Sequence, residues 1–133
     1  MKCIGFESLE QLLADVGAMQ RVYALLLQTQ KPTSLGISYV THFVLVQVPV
    51  GEDVYYFRQI LARHESFAGT LDEPAHQRKA AAEDAFRLIC DYLQNLGHQI
   101  VPAVIAMPTD LTYLDGLTRC LRFNSEKQTY ERA

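Results

Sequence analysis

Residues 9–28 read LEQLLADVGAMQRVYALLLQ, and the element assigned to this stretch decides the fold. Ser8 stands before it and Gln11 follows three residues later. That is the spacing of a capping box, in which a serine hydroxyl accepts a backbone N–H of the first helical turn. Apolar residues then fall at Leu9, Leu12, Leu13, Val16, Met19, Tyr23, Leu26 and Leu27. Spacings of three and four gather them on one helical face, so the pattern predicts a single long amphipathic helix. Gly17 inside it costs about 1 kcal/mol relative to alanine. Lys31-Pro32 ends it, because a residue before proline avoids the helical region. A strand over Arg21 to Gln28 is the competing reading. Its run Leu25-Leu26-Leu27, with Val22 as the single β-branched residue, weighs against that.

Upstream, Lys2 to Phe6 reads as a short strand. Downstream, Ile37 to Pro49 carries Tyr39, Val40, Phe43, Val44, Val46 and Val48, all good strand formers. Gly51-Glu52-Asp53 makes a turn and Val54 to Arg63 returns, giving a long antiparallel hairpin. Asp72-Glu73-Pro74 opens a second helix with an acidic cap and a first-turn proline. Its apolar stripe is Ala82, Ala85, Phe86, Ile89, Tyr92, Leu93 and Leu96, and Gly97 closes it. Ile100 to Met107 is a final strand, placed at a sheet edge by Pro102, which has no N–H to give a ladder. The order strand–helix–strand–strand–helix–strand predicts an α+β fold, a ferredoxin-like βαββαβ two-layer sandwich. Residues 1–107 form the core domain. Residues 108–133 form a C-terminal extension that packs on the core or on a partner, with a loop or single helical turn over Pro108 to Gly116 and a short strand over Leu117 to Phe123.

A two-residue loop at Gly51-Glu52 sets the hairpin register. It pairs His42 with Leu61, Val44 with Gln59, Val46 with Phe57 and Val48 with Tyr55, and this apolar face meets the helices. The opposite face carries Phe43, Leu45 and Gln47 against Ile60, Arg58 and Tyr56, since successive side chains alternate. Helices on one face only would leave this second face open. Phe43, Leu45, Tyr56 and Ile60 are therefore the candidate interface, a patch of roughly 400 Å², and a two-fold homodimer needs only one such patch. The competing expectation is that the C-terminal extension folds back over it. The function expected first is a small non-enzymatic interaction module that self-associates or docks a protein partner through the open sheet face. The alternative is a small-molecule-binding protein or enzyme of the dimeric ferredoxin-like kind, with Arg58, His64 and Glu65 as ligand-binding candidates near Tyr56.

The sequence has no glycine-rich phosphate loop, nucleophile elbow or paired-histidine zinc motif, so no catalytic residue, metal or cofactor is predicted. His64, Glu65, Asp72, Glu73 and His76 gather polar groups, but Asp72 and Glu73 are accounted for by capping the second helix. In the register above, His42 and His64 point to opposite faces, and a one-residue change of register would restore the same face but leave them roughly 13 Å apart along the strands, at ~3.4 Å per residue. His42 is then a core-edge histidine with Arg63 on its side, while Arg58 lies on the open face.

The 133 residues, 49% apolar and 20% charged, suit a single globular domain. A net charge of −3 is not the basic footprint of a nucleic-acid binder, and the basic residues Arg119, Arg122, Lys127 and Arg132 read as a solvated tail. Three cysteines without a C-x-x-C pair read as reduced, buried thiols. No apolar run approaches the ~20 residues of a membrane span, and none resembles a signal peptide. The expected location is cytoplasmic.

Overall fold

The computed structural model describes residues 2–67, 73–107, 121–124 and 129–132. The elements are β1 (Cys3–Phe6), α1 (Leu9–Val16), β2 (Arg21–Pro32), β3 (Ile37–Val50), β4 (Asp53–Phe67), α2 (Glu73–Asn95), β5 (Gln99–Met107), β6 (Leu121–Asn124) and β7 (Thr129–Arg132). The ferredoxin-like βαββαβ expectation is overturned. The core is a five-stranded mixed sheet in the order β1-β4-β3-β2-β5 with two helices, and β6 and β7 pair as a separate antiparallel ribbon.

The difference lies in residues 9–28. Ser8 does cap α1, its Oγ accepting the Gln11 N–H at 3.2 Å. The helix stops at Val16, where Gly17 takes a φ of 80° and its N–H closes on Leu13 O at 3.1 Å. After a short loop the chain is fully extended. Val22, Ala24 and Leu26 turn to the helix-covered face, while Tyr23, Leu25 and Leu27 turn to the other, and all six are buried. A strand buried on both faces needs apolar residues at every position. It therefore loses the alternation that identifies a strand in sequence and can match helical spacing by coincidence.

β2, β3 and β4 form an antiparallel meander, flanked by β1 parallel to β4 and β5 parallel to β2. Both crossovers, β1-α1-β2 and β4-α2-β5, move the same way across the sheet. The right-handed rule then places both helices on one face. Leu9 and Leu12 of α1 and Phe86 and Leu93 of α2 accordingly share one core cluster with Val22, Ala24, Leu26, Val44, Val46, Val48 and Phe57. Pro102 sits in β5, an edge strand. The starts of β2 and β5 are fastened by Gln20, whose N–H donates to His98 Nδ1 at 3.1 Å and whose carbonyl accepts the Gln99 N–H at 3.0 Å.

Met19, in the loop between α1 and β2, has a φ of 59° and is 83% exposed. A side chain in the left-handed region costs roughly 1–2 kcal/mol, and here no burial offsets it. Met19→Gly is expected to raise stability by about 1 kcal/mol, read as a higher urea midpoint at unchanged slope.

Cys3 is disulfide-bonded, a departure from the expectation of three reduced thiols, while Cys90 is a free, half-buried thiol. Burial, and then Asp91, push the Cys90 thiol pKa up. Among the described residues no helix is long and apolar enough to cross a membrane. The loop or turn expected over Pro108 to Gly116 lies outside the described residues, as does any packing of the C-terminal side chains.

Candidate functional site

The hairpin obeys the expected register from Phe43 to Val50: Phe43 pairs with Ile60, Val44 with Gln59, Val46 with Phe57 and Val48 with Tyr55. Between His42 and Phe43 the register shifts, and His42 pairs with Ala62 instead of Leu61. Leu61 is the extra residue of a β-bulge, which locally re-aims the strand beyond it. The bulge moves His64 onto the face of His42, two residues along the partner strand. The two are diagonal neighbours within reach of long side chains. This corrects the expectation that they point apart. It also moves Arg63 opposite Thr41, away from His42.

The two imidazoles meet directly. His42 Nε2 lies 2.9 Å from His64 Nε2, the rings are stacked with centroids 5.1 Å apart, and both residues are buried. At that distance one Nε2 donates its N–H and the other accepts it, so these two ring nitrogens satisfy each other. Burial holds the His42 pKa down at about 4, with His64 and then Lys79 of α2 adding repulsion toward a second proton. Gln28 of β2 pairs with His42 and brings a further polar side chain to this end of the helix-covered face. No cluster of three or more metal-ligating groups occurs among the described residues.

The other face of the sheet is not an open surface. Phe43 and Leu45 are fully buried in the single chain, packed with Tyr23, Leu25 and Leu27. Tyr56 is half-buried. It pairs with Gly5, where a Cβ would stand 2.7 Å from its Cζ and Oη, so its ring lies over the glycine. Ile60 is 41% exposed. Of the four candidate interface residues, then, two are core and Ile60 is the one that reaches solvent substantially.

The candidate ligand residues are dispersed. Arg58 pairs with Leu45 on the second face, and Glu65 pairs with Tyr39 on that same face. Seven residues separate them, about 20 Å or more along a strand. His64 faces the helices. Arg58 does line a cavity of about 430 Å³ with Glu7, Ser8, Glu10 and Phe57, between the start of α1 and β4, closed on one side by Ile89 of α2.

The exposed apolar surface gathers instead on α2. Leu88, Tyr92 and Leu96 are 68%, 44% and 47% exposed and recur every four residues, forming one ridge along a flank of the helix beside its buried side. Tyr92 and Leu96 belong to the stripe expected to be buried, and Leu88 was outside it. The buried side is narrower: Ala82, Phe86 and Leu93, with Ile89 and Cys90 partly covered. The expected stripe spans about 120° of the helix, an ordinary width for a core-facing side, so its width does not separate the exposed members from the buried ones.

Comparison with protein-family models, with curated proteins and with solved structures gives no match.

Proposed function

We propose that this chain is a small non-enzymatic interaction module that docks a protein through an exposed apolar flank of α2. The observation that carries the reading is the ridge of Leu88, Tyr92 and Leu96 on a 23-residue helix whose inner side is already seated on the sheet. Isolated exposed apolar residues, such as Leu35 or Val104, are ordinary on a protein surface. A contiguous ridge is different. These three side chains leave on the order of 300 Å² uncovered, comparable with the largest apolar patch of a typical monomer, and such patches commonly mark contact sites. An aromatic residue flanked by leucines on a helix face is also a common anchor arrangement for helix-mediated recognition.

The test is photo-crosslinking with benzoylphenylalanine in place of Tyr92 in the full chain. The expected result is an adduct to a polypeptide, of this chain or another, that disappears in the Leu88→Asp background. Absence of any polypeptide adduct contradicts the reading.

A further inference from the structure

We infer that the disulfide of Cys3 closes onto Cys120, and that residues 108–120 cross the second face of the sheet as its covalently fastened cover.

Burial is the first of two separate grounds. Both helices pack on one face of the sheet. On the other face Leu25, Leu27, Phe43 and Leu45 are nevertheless 0% exposed, and Gln47 is 1% exposed. Side chains stand out from a sheet, so a single layer of strands cannot hide its own. A second layer of this same chain must rest on them. The turns at the strand ends are too short to reach the middle of the face. The segment left to do so is the one that follows β5. Residues 108–120 lie outside the described residues. Their sequence carries Leu111, Tyr113, Leu114 and Leu117 among threonines and aspartates. That composition offers apolar surface to the leucines and polar groups to a buried amide such as Gln47.

The disulfide is the second ground. Cys3 is bonded, while Cys90 is a free thiol. The chain has three cysteines, so Cys120 is the partner left within it. The strand registers then fix the route. Cys3 pairs with Val54 at one edge of the sheet and is level with Gln99, the start of β5 at the opposite edge. Met107, the end of β5, stands eight residues further along. The way from Met107 to Cys3 is therefore about 19 Å across the strands and about 26 Å along them, a diagonal of about 32 Å. Thirteen residues separate Met107 from Cys120, and these reach about 45 Å at most. Little slack remains for a detour, and α1 and α2 occupy the other face.

The diagonal runs over Leu27, Leu45 and Tyr56, one on each of the three strands between the edges. Leu27 and Leu45 are 0% exposed and Tyr56 is half-buried. Away from that line, toward the start of β3 and past the middle of β4, the face opens: Tyr39 is 49% exposed and Ile60 41%. The tether's route and the buried track coincide.

Forming the bond takes two protons and two electrons from the thiols of Cys3 and Cys120. A disulfide of the glutathione class accepts them and leaves as two thiols. The product persists in oxidising surroundings and ties nearly the whole chain into one loop, which stabilises the fold against unfolding.

Peptide mapping of the full chain, treated with oxidised glutathione and alkylated without reduction, tests the bond. A Cys3 peptide joined to a Cys120 peptide, with Cys90 alkylated, is the expected result. Cys3 joined to Cys90 or to a second chain overturns the inference, as do three alkylated cysteines. Melting temperatures give a second readout. Cys3→Ser and Cys120→Ser should each lower the Tm by roughly 10 °C, and the double variant no further; additive losses overturn the pairing. The route is tested with benzoylphenylalanine in place of Tyr56 in the full chain. Adducts within the same chain to residues 108–120 are expected, and adducts only elsewhere, or none, overturn it.

Discussion

Leu45→Asp is expected to yield no folded protein, and Ile60→Asp to fold with stability close to wild type. The two positions share one sheet face, and an open face would make the variants equivalent. They are not equivalent here, because Leu45 is fully buried and Ile60 is 41% exposed. Removing a buried leucine side chain costs about 2–5 kcal/mol. An unpaired carboxylate in its place adds several kcal/mol more, even after relaxation. The sum matches or exceeds the roughly 5–15 kcal/mol of a typical domain. Ile60→Asp is expected to cost about 1 kcal/mol, the scale of an ordinary partly exposed substitution. Circular dichroism with a urea titration checks both, and a cooperatively unfolding Leu45→Asp chain would mean that this face is not core.

Acid weakens the chain through His42. The unfolded residue takes up its proton near pH 6.5, the folded one only near pH 4. Between those values the unfolded state binds more protons, so stability present above pH 6.5 is lost as the pH falls toward 4. From pH 7 to pH 5 this single group removes about 2 kcal/mol. Burial is the main reason the folded state refuses the proton, and the His64 ring at 2.9 Å and then Lys79 of α2 add to it, while Gln28 of β2, paired with His42, is neutral. His42→Gln can keep a hydrogen bond to His64 but cannot titrate. Its urea midpoint should fall less than that of wild type over the same pH range. Parallel pH profiles for the two proteins would rule out this origin of the acid sensitivity.

Where the sequence can be read and where it cannot follow from how each element is buried. α2 buries one face and begins at Glu73 where the sequence expects it, with the expected cap at Asp72 outside the described residues, and Gly97, with a φ of 92°, closes it in the left-handed region. The β3–β4 register between Phe43 and Val50 follows from the short turn at Gly51, whose φ is 61°. β2 is illegible for the opposite reason. Burial on both faces erases its period, and the apolar positions from Leu9 to Leu27 run across a real boundary at Gly17. The penalty carried by that glycine was the trace of the boundary. Lys31-Pro32 does end the element, but the element is a strand. The bulge at Leu61 leaves no mark, since such a bulge requires neither glycine nor proline. It alone decides whether His42 and His64 meet. The α2 ridge was hidden because helical periodicity reports an apolar face without saying how much of it a neighbour covers.

The central claim is that the apolar surface available for contact lies on α2 and not on the sheet. Carbene footprinting of the purified full chain tests it directly. Heavy labelling of Leu88, Tyr92 and Leu96 with protection of Phe43 and Leu45 is the predicted result. Labelling of Phe43 and Leu45 at the level of the α2 residues would contradict it.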